Sequence, residues 1–170
     1  MVPGEKLDML VGLGNGFFLD IPKMKHPLLI GGGVGVPPLF ALAKKLKVKG
    51  CRPTMIMGFN TAEEVFYFDE FKALEIETIV STVDGSGGIK GFVTDAMEKS
   101  CVLFDYTFCC GPLPMLKAIY EATHIDGQFS FEERMGCGFG ACMGCTCKTN
   151  SGNKRICKEG PILFKNDIIF

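Results

Sequence analysis

The chain has no tryptophan, only three tyrosines and only two histidines in 170 residues. Neither His26 nor His124 sits in a pattern of partner residues, so a histidine-centred acid–base or metal site has no basis. A charge excess is missing too. Lys and Arg number 18 against 19 Asp and Glu, a net charge of −1, which removes the electrostatic footprint of a nucleic-acid or anionic-membrane binder. No apolar run approaches the roughly 20 residues of a membrane helix, and no secretory leader opens the chain. The expected setting is cytoplasmic, with no nucleic-acid and no membrane partner. Hydrophobic residues make up 47% of the sequence, enough for the core of one ordinary domain with a small appendage.

Cysteine, by contrast, is plentiful: nine residues. Without an export signal they point to metal or redox chemistry in a reducing compartment, not to a disulfide framework. Cys51 and Cys101 read as buried small apolar residues. Five of the nine crowd together: four in Cys137-Gly-Phe-Gly-Ala-Cys142-Met-Gly-Cys145-Thr-Cys147, and Cys157 after a polar loop. Cys137, Cys142 and Cys145 stand as C-x4-C-x2-C, the ligand spacing of plant-type [2Fe–2S] centres, which also need a fourth, separated thiolate. Cys157 supplies it. Cys147 is set aside, because a C-x-C pair is awkward around a core already held by its neighbours. Glycines 136, 138, 140 and 144 allow a tight wrap. Zinc is the main competitor, but it favours two separated C-x2-C knuckles, and only Cys142 and Cys145 form one.

From Lys25 to Arg134 the sequence alternates strand, glycine loop and helix. Apolar runs at 27–30, 54–58, 76–82, 102–108 and 128–133 read as strands. Leu39, Leu42, Ala43 and Leu46 mark an amphipathic helix. Thr61 and Glu64 suggest a capping box opening a second helix with Val65, Phe68 and Phe71. Phe66, Phe68 and Phe71 read as core. Further helices are expected over 92–99 and 115–122. Such alternation implies an α/β fold with a five-stranded parallel sheet covered on both faces.

Ligands of such sheets bind beyond the carboxyl ends of the strands. Three glycine-rich loops lie there, at 31–36, 84–88 and 110–112. The first, Gly33-Val-Gly-Val-Pro-Pro38, is a partial dinucleotide fingerprint with Pro38 in place of the third glycine. It leads into a helix N-terminus suited to a phosphate. No acidic residue closes the second strand at Gly58-Phe-Asn60 to hold a ribose 2′-hydroxyl. The candidate NAD-binding residues are Gly32, Gly33, Gly35, Pro38, Asp84, Gly85, Cys110, Gly111 and Pro112. Cys110 is placed beside the nicotinamide.

Gly31-Gly-Gly-Val-Gly-Val-Pro-Pro38, Asp84-Gly-Ser86, Cys110-Gly-Pro112, Glu132-Glu-Arg-Met-Gly-Cys137 and Cys157-Lys-Glu-Gly-Pro161 together resemble the electron-transfer subunits of B-type dihydroorotate dehydrogenase, within the ferredoxin–NADP reductase superfamily. The resemblance spans essentially the whole chain. It implies three parts: a remnant of an FAD-binding barrel at 1–18, an NAD-binding domain at 19–131 and a [2Fe–2S] domain at 132–170. It carries over Cys137, Cys142, Cys145 and Cys157 as ligands. It also implies NAD and FAD as cofactors, and a catalytic dihydroorotate dehydrogenase flavoprotein as partner in a heterotetramer. The family's Arg-x-Tyr-Ser flavin motif is missing, so the chain reads as incomplete, able to hold a cluster but inactive alone. In residues 1–18, Leu7, Met9 and Val11 alternate as one strand awaiting partners. Sister readings are the FAD and cluster subunit of a ferredoxin–NADP reductase or sulfide dehydrogenase, a ferredoxin-like carrier, and a zinc-binding module.

Overall fold

Leu28, Leu29 and Ile30 are wholly buried. They form the middle of the first strand, β1 (Pro27–Gly32), and side chains alternate across a strand. Leu28 and Ile30 therefore join one apolar cluster and Leu29 the other. In the computed structural model, which describes residues 2–170, β1 is the centre of a twisted sheet with both faces covered.

The described elements follow in chain order: α1 (Val36–Val48), β2 (Thr54–Phe59), α2 (Phe68–Ala73), β3 (Glu77–Thr82), β4 (Ile89–Lys90), α3 (Val93–Ser100), β5 (Tyr106–Cys110), α4 (Leu113–Ala122), β6 (Gly127–Ser130), β7 (Thr146–Thr149), β8 (Gly152–Arg155) and β9 (Ile162–Phe164). The sheet order is β4-β3-β2-β1-β5-β6-β9. Every pairing is parallel except β6 with β9. Strand order reverses between β1 and β5, the switch point at which open α/β sheets make their crevice. α1 and α2 pack on one face through Leu39, Leu42, Leu46 and Phe71. α3 and α4 cover the other through Val93, Ala96, Leu116 and Ile119.

The sheet has seven strands where five were expected. The two-residue β4 extends one edge. β9 extends the other, and it comes from the C-terminal segment read as a separate small domain. That segment shares the core. Cys145, Ile156, Cys157, Leu163 and Ile168 lie in one cluster with Leu28, Ile30 and Phe129. Its own sheet is the β7–β8 hairpin.

Other expectations shift for local reasons. The helix predicted from Thr61 is broken. A 3-10 turn spans Ala62–Glu64, Tyr67 takes φ +66° and α2 begins only at Phe68. The Glu64 carboxylate caps Asn60 rather than Thr61. Phe71 is core, whereas Phe66 lies at the surface, 37% exposed. Cys101 is exposed, in a left-handed turn closing α3. Residues 102–105 precede β5 instead of belonging to it, and Leu103 is 91% exposed.

The strand expected around Leu7–Val11 does not form, and none of the described strands pairs with it. Leu7, Met9, Leu10 and Val11 are exposed. Met1, first residue of that expected segment, lies outside the described residues. From Gly14 onward the segment is fixed. Asn15 bonds to the backbone of Glu159 and Ile162, and Phe17 packs edge-on against Phe108 at 5.4 Å. The buried Gln128 side chain bridges both backbone groups of Phe18 at 2.7 and 2.8 Å.

Phe129 is wholly buried in the cluster shared by the sheet and the C-terminal segment. Phe129→Ala is expected to destabilise the fold by about 3–5 kcal/mol. Urea unfolding followed by far-UV circular dichroism measures this, with signals from both parts lost in one transition.

Candidate functional site

The β7–β8 hairpin places Cys145, just before β7, opposite Cys157, two residues beyond β8. Ile156 N–H donates to the Cys145 carbonyl at 3.1 Å, and Cys157 N–H points at the Cys145 sulfur at 3.4 Å. The two sulfurs lie 3.2 Å apart and are buried. Cys137 and Cys142 form a second, outer pair. The Cys137 sulfur accepts N–H groups from Ala141 at 3.2 Å and Cys142 at 3.4 Å, and its side chain meets that of Cys142. Gly144 N–H points at the Cys142 sulfur at 3.5 Å. Positive φ at Gly138 and Gly140 turns the loop so that its amides face inward.

These donors stabilise thiolates. The Cys142 amide, with help from neighbouring amides, lowers the Cys137 thiol to about 6. The Cys157 amide lowers Cys145. Cys157 itself is raised by its hydrogen bond to Cys145. Cys147 differs: it is half-buried, packs into the core and is raised chiefly by burial. Two thiol pairs with amides aimed at sulfur suit a two-iron core held by four thiolates. Among the described residues, no three His, Cys, Asp or Glu side chains close around a single position.

The second feature is a cleft of about 420 Å³ at the carboxyl ends of β1, β2 and β3, closed by the N-terminal ends of α3 and α4. Gly32, Gly33 and Pro112 line it. The other expected NAD residues do not. A Cβ on Gly35 would land on the Cys110 carbonyl, and one on Gly111 would strike Met115. These two glycines let the β1 and β5 loops touch. Cys110 is half-buried at the end of β5, its thiol raised first by burial. Pro38 is an exposed residue of α1's first turn. With Pro37 it removes two amide donors, so α1 is poorer as a phosphate seat than its glycine loop suggested. Asp84 accepts the Ser86 N–H and hydroxyl at 2.9 and 2.6 Å, which lower its carboxyl. Gly85 (φ +79°) turns the same loop. Ser86 in turn accepts the Ala62 N–H at 2.7 Å, so this loop braces the rim.

Two cleft features were not evident from sequence. The Ser81 hydroxyl lines the cleft, is buried and has no hydrogen-bond partner among the described residues. Such a group costs about 1–3 kcal/mol until a ligand or water satisfies it. Glu64 supplies the acid that seemed missing after β2. The 3-10 turn folds it back to the rim, where the Asn60 N–H at 3.0 Å and side-chain amide at 3.2 and 3.0 Å orient it. The signal was the Asn60-x3-Glu64 spacing. A carboxylate there suits a ribose diol.

In the metal-free protein, the Cys137 thiolate forms as pH rises through about 6, whereas Cys147 stays protonated through neutrality. At pH 7, iodoacetamide is expected to label Cys137 well ahead of Cys147. Peptide mass mapping across pH 5–9 measures the order.

Residues 132–169 match the family model described as the iron–sulfur cluster binding domain of dihydroorotate dehydrogenase B. A relative from Fusobacterium nucleatum subsp. nucleatum, named dihydroorotate dehydrogenase B (NAD(+)), electron transfer subunit, is 46% identical over 97% of this chain and 66% of its own length. A Geobacillus sp. (strain WCH70) protein of the same name is 47% identical over 98% of this chain and 66% of its own. The chain thus spans about two thirds of the length of these relatives. A solved NADH-dependent reduced ferredoxin–NADP oxidoreductase superposes with a TM-score of 0.83 at 33% identity, covering 96% of this chain and 60% of that one. With its cysteine loop inside the matched domain and its sheet shared with a reductase of this superfamily, the chain belongs to the family of dihydroorotate dehydrogenase B electron-transfer subunits.

Proposed function

We propose that the chain carries electrons for an NAD-linked dihydroorotate dehydrogenase of pyrimidine biosynthesis. The electrons come from dihydroorotate oxidised on a catalytic flavoprotein partner, and NAD receives them. The setting is cytoplasmic and the assembly a heterotetramer with that partner. The observation that carries this reading is the pair of amide-supported thiol pairs within the segment that matches the iron–sulfur family model.

Cys137, Cys142, Cys145 and Cys157 would hold a [2Fe–2S] cluster, and the cleft would hold NAD. When bound, these groups and FAD supply one-electron exchange, two-electron hydride exchange and the conversion between them. FAD enters through the family's relay alone, with no residue of this chain assigned to it. Gly32 and Gly33 leave room for a close backbone approach by the pyrophosphate. Glu64, oriented by Asn60, would accept the ribose hydroxyls, and Ser81 would find its missing partner on the ligand. Pro112 closes the end nearest β5, with Cys110 and Gly111 behind it. No side chain needs to move a proton. The chain alone is expected to bind cluster and nucleotide without passing electrons between them.

A second reading, the cluster-bearing subunit of an NADH-dependent ferredoxin–NADP reductase, is favoured by the solved structure with which the fold superposes so closely. The choice of partner separates the two. The protein, anaerobically reconstituted, is expected to bind iron and sulfide in equal amounts and give a rhombic electron paramagnetic resonance signal after dithionite. Cys142→Ser and Cys157→Ser should lose that signal and Cys147→Ser keep it. The reconstituted chain should also co-elute with a dihydroorotate-oxidising flavoprotein. Zinc in place of iron would overturn the cluster assignment, and co-elution with ferredoxin alone would favour the second reading.

A further inference from the structure

Cys137 and Cys142 lie on one loop and Cys157 on the turn after β8, and Arg155 joins the two. Arg155 ends β8, and its side chain is 23% exposed. Its Nη1 donates to the Gly140 carbonyl at 2.7 Å, inside the loop between Cys137 and Cys142. Its Nε donates to Glu159 Oε2 at 2.9 Å, and its Nη2 pairs with Glu159 Oε1. The Arg155 N–H also reaches Glu159 Oε2, at 2.8 Å. The same turn returns amides from Lys158 and Glu159 to the Arg155 carbonyl at 3.0 and 2.8 Å. One guanidinium fork thus pins the cysteine loop to the turn that carries Cys157.

We propose that Arg155 and Glu159 act as a paired positioning device for the cluster. Arg155 clasps the two ligand-bearing segments and favours the reduced state by its charge, while Glu159 fixes the fork and opposes that charge. This rests on the [2Fe–2S] reading above. One-electron reduction adds a negative charge to the centre, so a nearby cation raises the potential and a nearby anion lowers it. A planar fork that serves a carboxylate and a carbonyl together cannot be replaced by an ammonium group. Charge and clasp are therefore separable by substitution.

The test is a dithionite titration of the reconstituted full chain, with mediators, followed by its visible spectrum and by iron release to a chelator. Arg155→Gln leaves Glu159 unopposed and is expected to lower the potential. Glu159→Gln leaves Arg155 unopposed and is expected to raise it. Arg155→Lys keeps the charge and loses the fork, so the potential should stay near wild type while iron is released about 10-fold faster. If Arg155→Gln loses its iron before titration, the sign of the shift in Glu159→Gln decides. Shifts in the same direction for the two charge-removing variants, or none, would overturn the proposal. So would an Arg155→Lys protein that keeps iron as well as wild type does. A wild-type chain that takes up no iron and sulfide would instead overturn the cluster reading on which it stands.

Discussion

The antiparallel pairing of β9 with β6 is the contact on which the arrangement depends. The chain leaves the sheet after Ser130 and returns at Ile162, and these two residues face each other in the ladder. Phe131 N–H donates to the Pro161 carbonyl at 2.9 Å, one step further out. Everything between them, cysteine loop and hairpin included, is an excursion closed at its neck. Closing a long loop costs entropy that grows only slowly with its length, and here burial offsets it. Ile156, Cys157, Leu163 and Ile168 enter the same apolar cluster as β1 and α4. The inner thiol pair is therefore part of the core of the nucleotide module. Asn15 bonds at the same neck, so the N-terminal segment seals the point where the excursion closes.

The lowering of the Cys137 and Cys145 thiols comes first from backbone amides. Amides of residues 141, 142, 144 and 157 face sulfur. Turned toward acceptors, they do for thiolates what a helix N-terminus does for phosphate. Cys109 and Cys147 show the contrast: thiols without such donors, raised chiefly by burial. The spacing and the hairpin bring the sulfurs together as two pairs. The positive φ values at Gly138, Gly140 and Met143 turn the amides toward them.

This is also where sequence and structure part. Alternating strands and helices were legible because Leu28, Ile56 and Phe108 lie in fully buried parallel strands, whose apolar runs do not depend on distant partners. The cysteine cluster was legible because a metal core imposes spacing directly. β9 was not, since Ile162-Leu-Phe164 is a strand only by virtue of the edge β6 presents. Leu7–Val11 shows the converse, strand-like alternation that pairs with none of the described strands. The α2 boundary depended on a left-handed Tyr67, which no propensity marks. Glu64 was missed because the fingerprint places its acid at the strand end, whereas here a 3-10 turn carries it back to the rim from further along the chain.

The register says how the two features stand to one another. In the parallel ladders Cys110 is partnered by Gly31 on one side and Ser130 on the other. The strand that opens the glycine loop, the strand that ends in Cys110-Gly-Pro and the strand that launches the cysteine loop thus finish in one rank on one edge. Neighbouring strands are about 4.8 Å apart, so the outer two ends of this rank are separated by roughly 10 Å. What the sheet supplies is a fixed spacing between the cleft and the cysteine loop, with Cys110 and Gly111 packed between them and the close fit of Gly35 keeping that spacing rigid. Strand register thus sets the rim of the cleft and the root of the cysteine loop two strands apart on one edge of one sheet.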